Sequence, residues 1–163
     1  MRAARTVILR MTAAAIAALS VAACGPSGTV QQLKFTDIIS GYHDEGVVNG
    51  ENKLVPQVSF KLQNAGTEAL GTVQLNVHFQ ADGADGNMDE VLTRAAGSSI
   101  AAGQSTDVIT VRSKVGYTSQ QARAEMLRNS QFRDIKVKIF AKSGSSQWSQ
   151  VGEFTVDRTL LSF

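Results

Sequence analysis

Few side chains in this sequence could do chemistry. Two histidines and one cysteine occur in 163 residues. His43-Asp44-Glu45 sets an imidazole and two carboxylates in consecutive positions. These are groups that hold zinc or a harder divalent ion when further ligands converge on them from elsewhere. The plainer reading of the triplet is a solvated polar loop. His78 falls on the polar side of an alternating stretch, which makes it a surface histidine rather than an acid–base catalyst. Asp82, Asp85, Asp89 and Glu90 gather carboxylates of the kind that bind calcium, an ion that takes about six to eight oxygen ligands. Ala84 and Gly86 interrupt any EF-hand spacing, however, and Asp and Gly are also what a tight turn requires. No Gly-x-Ser-x-Gly elbow and no phosphate-cradling glycine loop occur, and neither histidine has an evident serine partner. Catalysis is therefore not expected, and no cofactor is implied.

The lone cysteine has a different role. Arg2, Arg5 and Arg10 precede an apolar, Ala-rich run from Met11 to Ala23, and Val21-Ala22-Ala23 leads directly into Cys24. A basic start, a short apolar core and small residues at the end make a secretion signal. The run is too short for a comfortable membrane-spanning helix of about 20 residues. With Cys24 directly after the small residues, residues 1–23 resemble a bacterial lipoprotein signal. That resemblance implies cleavage before Cys24, acylation of its thiol by palmitate-like chains, and attachment to the envelope membrane. Gly25 follows where an Asp would resemble an inner-membrane retention signal, so the periplasmic side of an outer membrane is expected in a two-membrane cell. Of the 16 basic residues, three leave with the signal, so 13 face 14 acidic ones in the remainder. Such balance gives no concentrated basic surface for nucleic acid.

Residues 24–32, rich in Gly, Pro, Ser and Thr, are expected to form a tether. From residue 33 onward, period-two patterning dominates. Expected strands are 33–42, with Leu33, Phe35 and Ile38 or Ile39 for burial, then 57–63, 73–79, 91–96, 106–112, 132–142 and 147–157, the last with a bulge near Gly152. Residues 43–53 are expected to be a loop, at most with a short strand at Val47-Val48. Strand 57–63 alternates apolar and polar without a fault, predicting one buried and one wet face, with Pro56 at its start. Thr118 and Gln121 make a capping-box spacing ahead of a short helix over 120–129. About seven strands, with this helix between the fifth and sixth and no βαβ rhythm, predict an all-β, Ig-like antiparallel β-sandwich over residues 33–163.

The runs VSFKLQNAGTEALGTVQLNVHFQADG and SIAAGQSTDVITV, within residues 57–112, resemble small bacterial FxLYD-type and related Ig-like domains. Val73–Phe79 matches the long strand of that pattern, Asp82–Gly86 its acidic turn and Ala101–Ser105 its last turn. Phe79-Gln80-Ala81-Asp82 departs from the Tyr that such domains favour before the Asp. The resemblance implies a structural, non-catalytic part of a cell-envelope protein and transfers no active-site residue.

One surface remains as a candidate site. Lys136, Lys138, Phe140 and Lys142 share the outward face of one strand, and an Ig-like order places His78 beside them and Trp148 on the adjoining strand. Aromatics among cations suit contact with an envelope protein or an anionic polymer; an ordinary solvated face is the alternative. The sequence thus supports a lipid-anchored interaction or assembly module. A carrier of a small ligand or metal, or a weak hydrolase built on His43-Asp44-Glu45 or the acidic turn, is the second reading.

The anchor can be tested at a single atom. Cys24→Ser removes the only thiol, and the exported chain is expected to move from the membrane to the soluble fraction, because the acyl chains supply about 0.8 kcal/mol per buried methylene. Mass spectrometry of the mature N-terminus would refute lipidation by finding Cys24 unmodified.

Overall fold

The computed structural model describes residues 29–162; the signal, Cys24 and most of the tether lie outside them. The chain forms β1 (Leu33–Val48), β2 (Glu51–Asn64), β3 (Val73–Ala81), β4 (Asp89–Arg94), β5 (Ile109–Arg112), β6 (Tyr117–Ser119), α1 (Arg123–Arg128), β7 (Ile135–Ser143) and β8 (Ser149–Thr155). These strands make two antiparallel sheets packed as an all-β sandwich, one with β2 between β1 on one edge and β5 and β6 on the other, the second in the order β4-β3-β7-β8.

The first difference from expectation lies at residues 43–53. They are not a loop: β1 and β2 continue through them as one long hairpin, paired up to Val48↔Glu51. Asn49 and Gly50 have φ of 54° and 85°, the left-handed pair that a two-residue type I′ hairpin turn demands and that Asn-Gly supplies at least strain. Hydrophilic composition masked a strong turn signal.

A second difference is the register of β1. The pairing slips between Thr36 and Ile39, where Asp37 has a positive φ of 52° and its carboxylate meets Lys61 Nζ at 2.7 Å. The extra residue reverses which parity faces inward. Leu33 is buried as expected and Phe35 packs against the core, but Ile38 and Ile39 stay exposed while Ser40 and Tyr42 turn in.

The third concerns β2. Leu54, Val58, Phe60 and Leu62 fill the core, yet Gln57 and Ser59 on the other face are also buried, so that face is not wet. Arg112 Nε donates to Gln57 Oε1 at 2.9 Å, and the Ser59 and Thr110 hydroxyls are 3.0 Å apart. Pro56 stands inside this strand rather than at its start. Its partner Tyr42 turns its amide and carbonyl away, to Thr159 and Leu161, while Pro56 O accepts from Ser113 N at 3.0 Å. The missing N–H therefore falls at the break between β5 and β6, where no ladder bond is lost.

Elsewhere the period-two reading holds. Val73, Leu75, Val77 and Phe79 of β3 and Ile135, Val137, Ile139 and Ala141 of β7 all face the core and are fully buried. The helix is shorter than expected and begins after Ala122 with no side-chain cap; Thr118 lies in β6, and Gln121 N donates to Ser119 Oγ instead of completing a capping box. Met126 and Leu127 are its buried residues. Val30 is buried in a 3₁₀ turn, so the packed unit starts before residue 33.

Each side of the sandwich is closed differently. Along the β1–β8 side, Phe35 stacks edge-on between Phe60 and Phe154, with ring centroids 5.0 and 5.2 Å away. The β7–β8 register shifts beside Gly152, as the sequence suggested. A Cβ on Gly152 would stand 2.8 Å from the Phe35 ring, so only glycine admits this approach. Along the β4–β5 side, Asp89 Oδ2 accepts from Ser113 Oγ at 2.9 Å and Lys114 N at 2.7 Å.

Two outcomes follow from this packing. Phe60→Ala removes a fully buried ring from the aromatic row and is expected to cost about 3–5 kcal/mol in chemical denaturation, whereas Lys61→Ala, at the solvent-screened Asp37 pair, should cost little. Equal losses would contradict this register. For Asp89, burial acts to raise the pKa, but hydrogen bonds from Lys114 N, Ser113 Oγ and Glu90 N outweigh it and hold the carboxyl below the usual range. A lowered folded-state pKa means that the stabilisation is present above the unfolded value of about 4 and is lost as pH falls through the folded one. Asp89→Ala should therefore lower Tm at pH 7 and by less at about pH 2; a pH-independent gap in thermal melts would refute this account.

Candidate functional site

Strands β3 and β7 pair in full antiparallel register, with Gln74↔Lys142, Asn76↔Phe140, His78↔Lys138 and Gln80↔Lys136. Because inner and outer residues alternate, these pairs form the outward face of the second sheet. Beside them, β4 adds Arg94, Leu92 and Glu90 opposite Gln74, Asn76 and His78. From β8 come Gln150 opposite Phe140 and Glu153 opposite Lys138. Trp148 stands just before β8, and Lys142 Nζ lies 5.0 Å from its ring centroid, a cation–π contact. Lys136, Lys138, Phe140, Lys142, Trp148 and His78 are thus brought together on one face.

The chemistry of that face is more balanced than a row of lysines suggests. Lys136 Nζ meets Asp82 at 2.8 Å, and this hydrogen bond raises the lysine pKa and lowers that of the aspartate. Lys138 Nζ donates to Gln80 Oε1 at 3.0 Å. Lys138 is half-buried rather than exposed, as is Asn76. Cations alternate with Glu90, Glu153 and Asp82, so the face is mixed in sign, which suits a structured protein surface better than a polyanion.

Aromatic and polar groups interlock at its centre. The Phe140 and His78 rings lie 4.7 Å apart at 40°. Asn87 Nδ2 sits 3.0 Å from His78 Nδ1 and 2.7 Å from Glu90 Oε1. With Asn87 donating, the ring proton resides on Nε2, which points to Glu90 Oε2 across 3.7 Å, too far for a hydrogen bond. His78 Nε2 and Asn76 Oδ1 are buried there without hydrogen-bond partners. Leu92, 70 % exposed, extends the Asn76–Phe140 row to the sheet edge. The sequence reading passed over Leu92, although Val91 facing inward would by alternation have turned Leu92 out.

His43, Asp44 and Glu45 do not converge. Asp44 pairs with Arg123 of α1 and accepts from Gly46 N at 2.8 Å; the Arg123 hydrogen bond is the main cause of its lowered pKa. Glu45 meets Arg112 Nη1 of β5 at 3.1 Å. Each carboxylate has its own arginine, and among the described residues no three His, Cys, Asp or Glu side chains form a metal-binding group. The acidic stretch is dispersed as well: Asp82 is with Lys136, Asp89 with the β5–β6 connection, and Glu90 with Asn87. A groove of about 430 Å³ on the opposite sheet is lined by Ile39, Gln57, Ser59, Val108, Thr110 and Arg112. Its polar floor is already paired within itself through Arg112–Gln57 and Ser59–Thr110. Among the described residues no helix is long and apolar enough to cross a membrane.

No family model matches this chain, and no curated protein does. Among solved structures, it is similar to a Northeast Structural Genomics Consortium target, SoR45, at 12 % identity and a TM-score of 0.44 over 77 % of this chain and 86 % of that one. A β-glucuronidase from Bacteroides uniformis is similar at 12 % identity and a TM-score of 0.42, over 76 % of this chain but 12 % of the enzyme.

Proposed function

We propose that this protein is a lipid-anchored, non-catalytic module of the cell envelope whose β4-β3-β7-β8 face contacts another envelope protein. The observation that carries the reading is the row Leu92–Asn76–Phe140, flanked by Trp148, on a face where Asn76 Oδ1 and His78 Nε2 lack partners. Aromatic anchors amid alternating charge are the composition in which interface energy concentrates. Those two atoms are themselves occluded, so Phe140, Leu92 and Trp148 are the groups an incoming chain meets. Anchoring rests on the Val21-Ala22-Ala23-Cys24 pattern, which attaches the domain by its N-terminus. The non-catalytic part rests on the engagement of the titratable groups: the candidate carboxylates hold arginines, lysines or backbone amides.

Phe140 is the residue to test. Phe140→Ala truncates the central ring of the row without entering the core and is expected to weaken partner capture from solubilised membranes by about 2 kcal/mol, roughly thirtyfold, with Tm lowered only slightly. Lys138→Glu, which sets a third carboxylate beside Glu90 and Glu153, should mainly slow association and change its salt dependence. Undiminished capture by both folded variants would return this face to an ordinary solvated surface.

A further inference from the structure

β4 ends the second sheet, and among the described residues no strand pairs with its outer side. Which backbone groups face outward is fixed by the bonds on the inner side. Ala95 N donates to Val73 O at 2.9 Å, and the register continues as Thr93↔Leu75 and Val91↔Val77. In an antiparallel ladder, alternate residues bond to alternate sides. Residues 91, 93 and 95 therefore bond to β3, and Glu90, Leu92 and Arg94 turn their N–H and C=O groups out. Glu90 N is held by Asp89 Oδ1 at 2.9 Å; the other outward groups have no hydrogen-bond partner among the described residues.

The side chains of these same residues are self-complementary. A two-fold antiparallel pairing centred on Leu92 sets Leu92 against Leu92 of a second copy and Glu90 against Arg94 of that copy, twice by symmetry. Leu92 is the most exposed of the large hydrophobics described, at 70 %. The Glu90 side chain is 53 % exposed, and Arg94 is exposed with no ion pair among the described residues. Centring on Val91 or Thr93 instead would use fewer outward groups and set Leu92 against a charge.

Other edges lack this match. β5 has only four residues; Arg112 is already bound to Gln57 and Glu45, and a register centred on Thr110 would set it against Val108. Part of the β1 edge is taken by Thr159 and Leu161 at Tyr42. β8 is interrupted by its register shift.

We propose that a second copy of this chain adds to β4 in this Leu92-centred register, joining two four-stranded sheets into one of eight strands. The pairing is isologous and closed, as two-fold interfaces are, and it covers an edge that otherwise invites irregular pairing. It is independent of the anchoring and shares only its β4 residues, Leu92 among them, with the contact face: it uses the edge rather than the Phe140 surface, and it would bring two such surfaces into one continuous face.

Residues opposite one another in a hydrogen-bonded antiparallel pair have Cα atoms about 5.5 Å apart, within disulfide range. The test is oxidative cross-linking of the purified full chain in detergent, comparing Leu92→Cys with Gln150→Cys, an exposed position on the opposite edge, and with the native chain carrying only Cys24. A reducible dimer is expected from Leu92→Cys well above both controls. In that background, Glu90→Arg or Arg94→Glu alone sets like charges across the seam and should cut dimer yield by about fivefold, consistent with paired cross-strand charge contacts. The combined exchange should restore it, with thermal melts confirming that each variant folds. Cross-linking no greater than at Gln150→Cys, or a double exchange that fails to restore the yield, would overturn the pairing.

Discussion

The sandwich depends on β2 being satisfied on every side at once. Its edges bond to β1 and to β5 and β6, and from Leu54 to Phe60 both faces are buried. A strand in that position has no water to rescue a misplaced polar group, and an amide or hydroxyl buried without a partner costs about 1–3 kcal/mol. Gln57, Ser59 and Asn64 are all buried, and each is answered: Gln57 by Arg112, Ser59 by Thr110, and Asn64 by the carbonyls of Glu68 and Ile100 and the amide of Gly66. These bonds reach the connections that follow β2 and precede β5. The same strand that organises the core thereby fixes the loops at one end of the molecule.

The hairpin turn and the bulges keep this arrangement in register. Asn49-Gly50 sets the pairing at one end of β1, and the shift at Asp37 changes the inward parity so that Phe35 reaches the Phe60–Phe154 row while Tyr42 still faces in. At the far end Tyr42 and Tyr117 pack on Phe132, with centroids 4.9 and 4.1 Å from it. Burial drives the Tyr42 phenol well above its ordinary pKa, so it stays neutral across the physiological range. Its hydroxyl has no hydrogen-bond partner, a cost accepted where three rings close the end of the sandwich.

How much of this was legible follows from which physical rule governed each segment. β3 and β7 lie in the middle of a sheet with one face on the core, so period two alone fixed their inward residues. β2 shows the same alternation, yet its polar residues are buried, because alternation reports which face a side chain takes and not what lies over that face. The β1–β2 hairpin was missed for the opposite reason: polar composition was weighed above Asn-Gly, whose backbone preference is the stronger constraint. Helix capping failed because Thr118 was drawn into β6. For the candidate site, alternation put Lys136, Lys138, Phe140 and Lys142 together, but it could not supply Asp82, Glu90 and Glu153. Those counter-charges arrive from β4, β8 and the turn after β3, and become visible only once pairing is known.

The two outward faces differ in what they leave exposed, and that difference supports the proposed contact face better than charge does. On the β1-β2-β5 sheet, the polar groups beneath Ile39 and Val108 are paired with one another and the flanking arginine is held by Glu45, although His43 Nδ1 is buried without a partner. On the β4-β3-β7-β8 sheet, two buried polar atoms remain open beside Phe140, Leu92 stands out from the surface, and the outermost strand has unmatched backbone groups. Groups already paired gain little from a partner, since association must replace bonds already made. An exposed apolar row and unmatched backbone groups at a sheet edge gain from one. The β4 side of the second sheet is where the isolated chain is least complete, and it is there that its contacts are best sought.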